Sequence, residues 1–328
     1  MSVFSCIFSM ASTIFFSGPS HPLSNLYPFS FIWKGHRFNS VEAAYQWEKA
    51  CHHGLRLEAE EILHCPDPTF KVMYLGRALP SSPSWEQCRL DCMFALLQQK
   101  FHHCFDYRLA LRGGDCFVED TFHPFWGFGR HGTGFNWLGQ LHLDIKRQGR
   151  SICILGSSHA QGMAPILRKF LQGKGVYHVD ERPLGGATID RVRHWIDSND
   201  IGIYDYMILV IGSNDFYSKK GIPLARGLAV CHHLTDLYNH VSNVSPSLCL
   251  LKHEIIPRCS INSGNLAKIF KDQCQETRFC NNMGDFDIKV PKLWKSRKSG
   301  NPIYFSKDCV HLNMKGKHEI AKAWSLAL

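Results

Sequence analysis

The stretch Ser151-Ile-Cys-Ile-Leu-Gly-Ser-Ser158 decides the fold of the second half of the chain. A short apolar run that ends in one glycine and two serines predicts a buried strand followed by a tight turn. Similar apolar runs recur downstream, at 176–179, 207–211 and 248–256. Helical patterns separate these runs, and such alternation predicts a parallel sheet with helices on both faces. We therefore expect an α/β three-layer sandwich over residues 150–328.

Chemically useful side chains follow the predicted strands. Ser158, Gly186 and Asn214 fall at the carboxyl ends of strands, where parallel sheets bind ligands. Further on, Asp308 and His311 stand three residues apart on one loop. His311 would deprotonate the Ser158 hydroxyl, and Asp308 would hold the imidazole tautomer. The backbone N–H groups of Ser158 and Gly186 and the Asn214 amide would form the oxyanion hole. A capping serine and a loop histidine would explain each residue singly, but not the set.

These blocks resemble the SGNH (GDSL-type) hydrolase family over residues 150–328. The most specific block is Asp308-x-x-His311 with the Leu-Asn and Gly that follow it, and Gly212-x-Asn214-Asp215 comes next. The resemblance implies an esterase, acylesterase or thioesterase that needs no metal. The family usually has Gly-Asp-Ser in its first block. This chain has Ser157 in place of that Asp, which removes a carboxylate from the nucleophile loop.

The first half of the chain contains a helix with three polar residues on one face. Residues 14–33 predict a strand, a loop and a second strand, before Asn39 caps the helix. Glu42 then occupies the acid position of a capping box. Glu42, Gln46 and Lys49 are spaced i, i+4, i+7 and share one face. Spacing alone favours a capping carboxylate and a solvated lysine.

An ordered series of short motifs runs through this half: Phe16-Ser-Gly18, Leu23-Ser-Asn25, Ser40-Val-Glu42-Ala-Ala-Tyr-Gln46-Trp-Glu-Lys49, Trp85, Lys100-Phe101, Val118-Glu119, Phe125-Trp126-Gly127-Phe-Gly129 and Gly132-Thr-Gly134-Phe-Asn136-Trp-Leu-Gly139. The series resembles the NADAR family over residues 14–147. The resemblance implies a compact, mainly helical α+β domain. It also implies cleavage of N-glycosidic bonds in ADP-ribose-like or phosphoribosyl-amine compounds, including guanine bases that carry ADP-ribose.

That chemistry gives roles to the matching residues. Breaking a C1′–N bond passes through an oxocarbenium-like state, which a carboxylate stabilises or protonates. Glu42 is the first choice and Glu119 the second, while a desolvated Lys49 could attack C1′ and form a Schiff base. Base, sugar and phosphate contacts are expected from Asn25, Gln46, Trp85, Trp126, Gly127, Asn136 and Gly139. For both tryptophans, core packing is an equally good explanation. The family commonly has an Asp where this chain has His123.

Composition sets limits on the whole chain. With 328 residues, 45% hydrophobic and 20% charged, it is expected to form two domains and is not a disordered protein. Residues 1–149 carry 13 basic and 13 acidic residues, whereas 150–328 carry 24 and 15, so all of the +9 charge lies in the second part. A polar hinge near Lys146–Arg150 is expected to separate domains at 14–147 and 150–328. Residues 1–13 are expected to be a frayed start, because they lack the basic segment of a secretory signal.

Fourteen cysteines are scattered along the chain. They are expected to be free thiols in a reducing, intracellular compartment, either cytoplasmic or nuclear. The cysteines at 88, 92, 104 and 116, with His102 and His103, do not have the usual zinc spacings. Buried thiols are the better explanation, so we expect no metal and no cofactor. No apolar stretch is long enough for a membrane span.

The partners follow from these assignments. We expect a bifunctional hydrolase that acts on an ADP-ribose-like or nucleotide-like small molecule and on an ester. The alternative is a module that binds ADP-ribose or nucleic acid without cleaving it, fused to an active esterase. A basic run around Trp294 could hold nucleic acid through Lys289, Lys292, Lys295, Arg297 and Lys298. A solvated loop is the more usual explanation for such a run.

Overall fold

The computed structural model describes residues 12–216, 227–256, 281, 286–289, 304–306 and 311–328. These residues form two compact units, which divide between Gly149 and Arg150. Residues 1–11 of the expected frayed start lie outside the described part. Thr13 is already the first residue of a strand, so ordered structure begins one residue before the predicted boundary.

The first unit is a mainly helical α+β domain, as predicted. Its strands are β1 (Thr13–Phe16), β2 (Phe31–Trp33), β3 (His36–Phe38) and β4 (Cys116–Glu119). Its helices are α1 (Val41–His52), α2 (Arg56–Leu63), α3 (Phe70–Ala78), α4 (Pro83–His103), α5 (Phe105–Arg112) and α6 (Trp137–Gln148). Strand β1 pairs in parallel with β4, which places Phe16 opposite Glu119, while β2 and β3 form an antiparallel hairpin.

Helix α1 lies at the centre of this unit and packs against α2, α3 and α4. Its N-cap is Ser40, whose side chain accepts a hydrogen bond from the Ala43 N–H at 3.0 Å. The prediction that Asn39 caps the helix is therefore wrong by one residue. The capping-box role expected for Glu42 is wrong for the same reason, because the cap has moved one position towards it. A central helix cannot expose one whole face, so its polar residues lie against neighbouring elements.

The second unit is an α/β sandwich built on one four-stranded sheet. Its strands are β5 (Gly149–Gly156), β6 (Val176–Pro183), β7 (Tyr206–Val210) and β8 (Cys249–Lys252), in the order β6-β5-β7-β8. Its described helices are α7 (Ala164–Leu171), α8 (Ile189–Asp197), α9 (Gly227–Val244) and α10 (Met314–Ala327). Strands β5, β7 and β8 run parallel, with Ile152 opposite Tyr206 and Tyr206 opposite Cys249.

Both faces of this sheet are buried, which gives the three layers that the apolar runs predict. Cys153 and Leu155 point into a core formed with α8 and α9. Ile152 and Ile154, the alternate residues of the same strand, point into a second core formed with α7 and α10. A strand covered on both sides favours apolar residues at every position, as in this segment.

Within the described ranges, no helix is long and apolar enough to cross a bilayer. Over the same residues, no three His, Cys, Asp or Glu side chains are grouped so that they could hold a metal ion. The nine cysteines of the described part are free thiols.

Candidate active sites

In the first unit, the polar face of α1 meets the segment that precedes β2. Glu42 accepts a hydrogen bond from Gln46 Nε2 at 2.8 Å, and its backbone N–H donates to the Asn25 carbonyl at 3.0 Å. Burial raises the pKa of Glu42, while the Gln46 hydrogen bond and the charges of Arg77 and Lys49 act in the opposite direction. Glu42 is therefore a desolvated carboxyl group with positive charge nearby.

Lys49 is half-buried rather than solvated, contrary to what its spacing favoured. Its Nζ donates to the carbonyls of Gly76 and Leu79 at the end of α3, at 3.2 and 3.1 Å. Burial lowers the pKa of Lys49, although the negative charges of Glu86 and Glu42 partly oppose this. A neutral amine has two N–H bonds, and both can be donated to these two carbonyls. The nitrogen lone pair then remains available for attack on an electrophile.

Glu119 brings a second carboxyl group to this region from the end of β4. Burial and the nearby charge of Glu42 raise the pKa of Glu119 to about 7. Its Oε2 atom is buried and has no hydrogen-bond partner. Two carboxyl groups that interact through a poorly solvated space do not ionise independently, so the negative charge of one disfavours ionisation of the other.

Asn136 holds β4 in place and so positions Glu119. Its side chain accepts from the Glu119 N–H at 3.0 Å and donates to the Phe117 carbonyl at 2.9 Å. The residue has left-handed backbone angles, φ 50° and ψ 40°, which asparagine tolerates better than most residues. Asn136 was expected to bind substrate, but the structure directs its side chain to the backbone of β4.

Two of the predicted contact residues carry buried acceptor atoms without a hydrogen-bond partner. Asn25 Oδ1 and Gln46 Oε1 are buried without a hydrogen-bond partner, as is Glu119 Oε2. Buried polar atoms are nearly always paired, so these orphan acceptors need an explanation. Gln46 Oε1 is packed against Gly76, where a Cβ atom would lie 2.1 Å from it, whereas a hydroxyl or amino group of a ligand would supply the donor missing at Glu119 Oε2.

The two predicted stacking tryptophans have different environments. Trp85 is 3% exposed and packs against Tyr45, with ring centroids 5.3 Å apart, which makes it a core residue. Trp126 is only partly buried and meets the other side of Tyr45 at 5.7 Å with perpendicular rings. Trp126 is therefore the tryptophan that keeps surface for a ligand.

Gly127 and Gly139 allow close backbone packing around the same segment. A Cβ atom at Gly139 would lie 2.1 Å from the Phe117 carbonyl, and one at Gly127 would lie 2.2 Å from Thr121 Oγ1. Any side chain at either position would push α6 or the neighbouring loop away. The structure thus gives both glycines a packing role, whereas the sequence left a phosphate contact open.

His123 acts as a backbone acceptor. Its Nδ1 accepts hydrogen bonds from the N–H groups of Phe125 and Trp126, both at 3.1 Å. Burial and then the positive charges of Arg89 and Arg77 lower the pKa of His123, which favours the neutral ring that this role requires. An aspartate could accept the same two N–H groups, so His123 preserves the turn that leads to Trp126.

In the second unit, the structure brings the predicted nucleophile and base together. Ser158 follows β5 in a short 3₁₀ turn, and its Oγ lies 3.0 Å from His311 Nε2. The His311 carbonyl accepts from the Ser306 N–H at 2.7 Å, and Leu312 forms an antiparallel bridge with Phe305. Asp308, the predicted third member, lies outside the described residues.

The two predicted oxyanion loops are linked to each other. The Asn214 amide donates to the Ala187 carbonyl at 2.9 Å, directly after Gly186, whose φ of +67° suits glycine. Asp215, which belongs to the Gly212-x-Asn214-Asp215 block but was given no role from the sequence, accepts the Ile189 N–H at 3.0 Å where α8 begins. Its place beside Asn214 is the only sequence signal that could have indicated this role. Burial raises the pKa of Asp215 to about 6.

Most of the predicted basic run cannot be placed. Lys292, Lys295, Arg297 and Lys298 lie outside the described residues, as does Trp294. Lys289 is described, and its Nζ lies 3.5 Å from Glu254 Oε1. Binding of nucleic acid by this run stays a prediction.

The structure thus contains two groups of reactive side chains: a desolvated carboxyl pair with a nearby lysine, and a serine–histidine pair whose serine follows β5. Residues 14–148 match the NADAR domain family, so the family resemblance of the first unit is confirmed. A search of curated proteins found no match.

Among solved structures, the E. coli protein YbiA is 25% identical, with a TM-score of 0.36, and the match covers 42% of this chain and 84% of that one. A putative GDSL-like lipase from Parabacteroides merdae is 17% identical, with a TM-score of 0.40 and coverage of 54% and 94%. The M. smegmatis aryl esterase is 13% identical, with a TM-score of 0.40 and coverage of 54% and 97%. Because these scores are below 0.5, the chemistry of the second unit has to be argued from its own side chains.

Proposed function

We propose that this protein is a hydrolase with two active sites, an N-glycosidase in residues 14–148 and a serine esterase in residues 150–328. The substrate of the first site would be an ADP-ribose or phosphoribosyl compound. What supports catalysis there, rather than binding alone, is the carboxyl pair of Glu42 and Glu119 beside a half-buried Lys49. A module that only bound its ligand would have no need to keep a proton on one carboxyl group near pH 7.

The two carboxyl groups suit different roles. Glu119, with a pKa of about 7 and an unpaired Oε2, would donate its proton to the leaving nitrogen. Glu42, beside Arg77 and Lys49 and hydrogen-bonded to Gln46, would be the carboxylate. It would stabilise the developing oxocarbenium ion and accept a proton from the water that adds to C1′. Alternatively, the Lys49 amine would displace the base from C1′, with the glycosidic C–N bond breaking and Glu119 giving its proton to the leaving nitrogen. The ribose ring would then open to a Schiff base, which water would hydrolyse to release the sugar and the Lys49 amine.

Turnover of ADP-ribosyl-guanosine by the full chain tests this site. Guanosine and ADP-ribose should appear together on chromatography, and Glu42→Gln should lower their rate of formation by about 10²-fold or more. Glu58→Gln, an exposed carboxylate of α2, is the matched control and should retain the wild-type rate. Tight binding of the compound by wild-type protein without any cleavage would favour the binding alternative.

The esterase proposal is carried by the 3.0 Å distance between Ser158 Oγ and His311 Nε2. In an ester hydrolase, His311 would take the Ser158 proton as the hydroxyl oxygen attacks the acyl carbon, and then pass it to the leaving alcohol. Water would release the acyl group in a second step of the same kind. The Gly186 backbone and the Asn214 amide would receive the negative charge of the tetrahedral oxygen.

A fluorophosphonate probe tests the nucleophile directly. The wild-type protein should be labelled at Ser158 and should hydrolyse aryl acetates, while Ser158→Ala should do neither. Labelling of Ser157 instead would shift the assignment by one residue. A folded wild-type protein that reacts with neither reagent would contradict the esterase proposal.

A further inference from the structure

The loop from Ser157 to Met163, which carries Ser158, begins with a residue whose backbone is held by the Val210 carbonyl and the Ala160 N–H but whose side chain has no partner. Ser157 is 1% exposed, and its Oγ is buried without a hydrogen-bond partner. The loop turns through Gly162, whose φ is +71°. Helix α7 then begins at Ala164, and its N-cap residue, Met163, cannot cap it with a side chain. Backbone carbonyls of the loop accept the N–H groups of Ala160, Gln161 and Met163, so the N–H groups of Gly162 and Ala164 need an acceptor from another element.

Glu181 of β6 provides that support from the neighbouring strand. Its Oε1 accepts the Gly162 N–H at 2.9 Å, and its Oε2 accepts the Ala164 N–H at 2.8 Å. Hydrogen bonds from backbone N–H groups to a carboxylate are among the stronger ones in proteins. One side chain therefore fixes the two backbone positions that join the nucleophile loop to α7, and its negative charge suits a helix start.

A second contact connects this loop to the element that follows the base. Lys317 of α10 donates from Nζ to the Gln161 carbonyl at 2.8 Å. Helix α10 starts directly after the His311 segment, where Asn313 caps it by accepting the Gly316 N–H at 3.0 Å. The loop that carries Ser158 is thus held by Glu181 on one side and by Lys317 on the other.

We propose that Glu181 is a positioning residue for Ser158, and that it supplies from β6 a carboxylate that position 157 lacks. This inference rests on the proposed esterase function. Because nucleophilic attack requires a near-attack geometry, a displacement of about 1 Å can cost about 10²-fold in rate. Glu181 touches neither the acyl group nor His311, so it acts on the rate through the backbone of the Ser158 loop.

Glu181→Gln is the decisive substitution, because glutamine keeps one carbonyl acceptor but turns an NH₂ group towards the second N–H. The rate of fluorophosphonate labelling at Ser158 and kcat for aryl acetates should each fall about 10- to 100-fold, with KM within about twofold of wild type. In Glu181→Ala, both the labelling rate and kcat should fall further than in Glu181→Gln. Asp200→Ala is the matched control, since Asp200 also accepts a backbone N–H, that of Gly202 at 2.9 Å, but before β7 at the opposite end of the sheet.

Amide hydrogen exchange supplies a measurement that does not depend on activity. In Glu181→Gln, the amides of Gly162 and Ala164 should exchange faster while those of β7 keep their wild-type rates. Wild-type labelling and exchange rates in a folded Glu181→Gln protein would overturn the positioning role and leave the esterase proposal intact. A wild-type protein that is never labelled at Ser158 would overturn the esterase proposal, and the positioning role with it.

Discussion

Replacing Glu119 with Gln is expected to abolish glycosidase activity and, at pH 8, to stabilise the first unit. The wild-type carboxyl has a pKa raised from 4.5 to about 7 by burial and by the charge of Glu42. A raised carboxyl pKa contributes stability that is fully present below about pH 4.5 and is lost as pH rises through about 7. At about 1.4 kcal/mol per pKa unit, this loss amounts to about 3 kcal/mol in the free energy of unfolding.

Urea titration of the full chain at pH 5 and pH 8 measures this difference. Five of the eight tryptophans lie in residues 1–149, so fluorescence reports mainly on the first unit. Between pH 5 and pH 8, the urea midpoint of the wild type should fall by about 1–2 M more than the urea midpoint of Glu119→Gln does. Glutamine cannot ionise, so the variant should lack this part of the pH dependence. Groups that titrate independently of Glu119 cancel in the comparison, whereas Glu42, which is coupled to Glu119, does not.

Glu58→Gln is the control, because it removes an exposed carboxylate of α2 and should keep the wild-type pH dependence. The reasoning would be refuted if wild-type protein and Glu119→Gln lost the same stability between pH 5 and pH 8. In that case Glu119 would not carry a raised pKa, and it could not be the proton donor proposed here. Glycosidase activity of the wild type should also decline above about pH 7, as the donor loses its proton.

Three further outcomes are expected. Ser158→Ala and His311→Ala should each remove nearly all aryl acetate hydrolysis. The double variant should hydrolyse the ester only slightly more slowly than either single variant, because the two residues act as a unit. Fully additive losses of rate would contradict this. Borohydride reduction during turnover should attach the sugar to Lys49, as detected by mass spectrometry, and attachment to another lysine would reassign the nucleophile. Asn136→Ala should lower the free energy of unfolding of the first unit by about 2–3 kcal/mol, because two hydrogen bonds are lost. Asn136→Gly should lower it by less, because glycine adopts a φ of 50° without strain. The role given to Asn136 would be contradicted if both variants were as stable as the wild type.

The sheet of the second unit could be predicted because its signal is local. The segment 152–155 is apolar at every position, since alternate residues enter the two cores on opposite faces of β5. Strand ends then bring Ser158 and Asn214 to one edge by topology alone. The start of α1 was missed by one residue because Asn39 and Ser40 are both good caps. Only the extended backbone of Ser40, φ −160° and ψ 158°, decides between them.

The supporting residues of the two sites could not be predicted, because their contacts join distant segments. Glu181 reaches the nucleophile loop only because β6 lies next to β5, an order that the apolar pattern does not specify. Its one signal is the charged run Asp180-Glu181-Arg182 at the end of a strand that begins Val-Tyr-His-Val. Asn136 was noticed through its motif, yet its role depends on the approach of α6 to β4, which Gly139 permits.

The charge state of the first site restricts its substrate further. Burial shifts the titrating groups towards their neutral forms: the pKa is raised for Glu42 and Glu119 and lowered for Lys49 and His123. The positive charges of Arg77 and Arg89 act on these groups, although Arg89 is itself paired with Glu86. The site therefore brings the charge of Arg77 together with buried acceptor atoms. Such a site favours an anionic ligand that brings its own hydroxyl or amino donors, as a phosphorylated ribose does, over a neutral nucleoside.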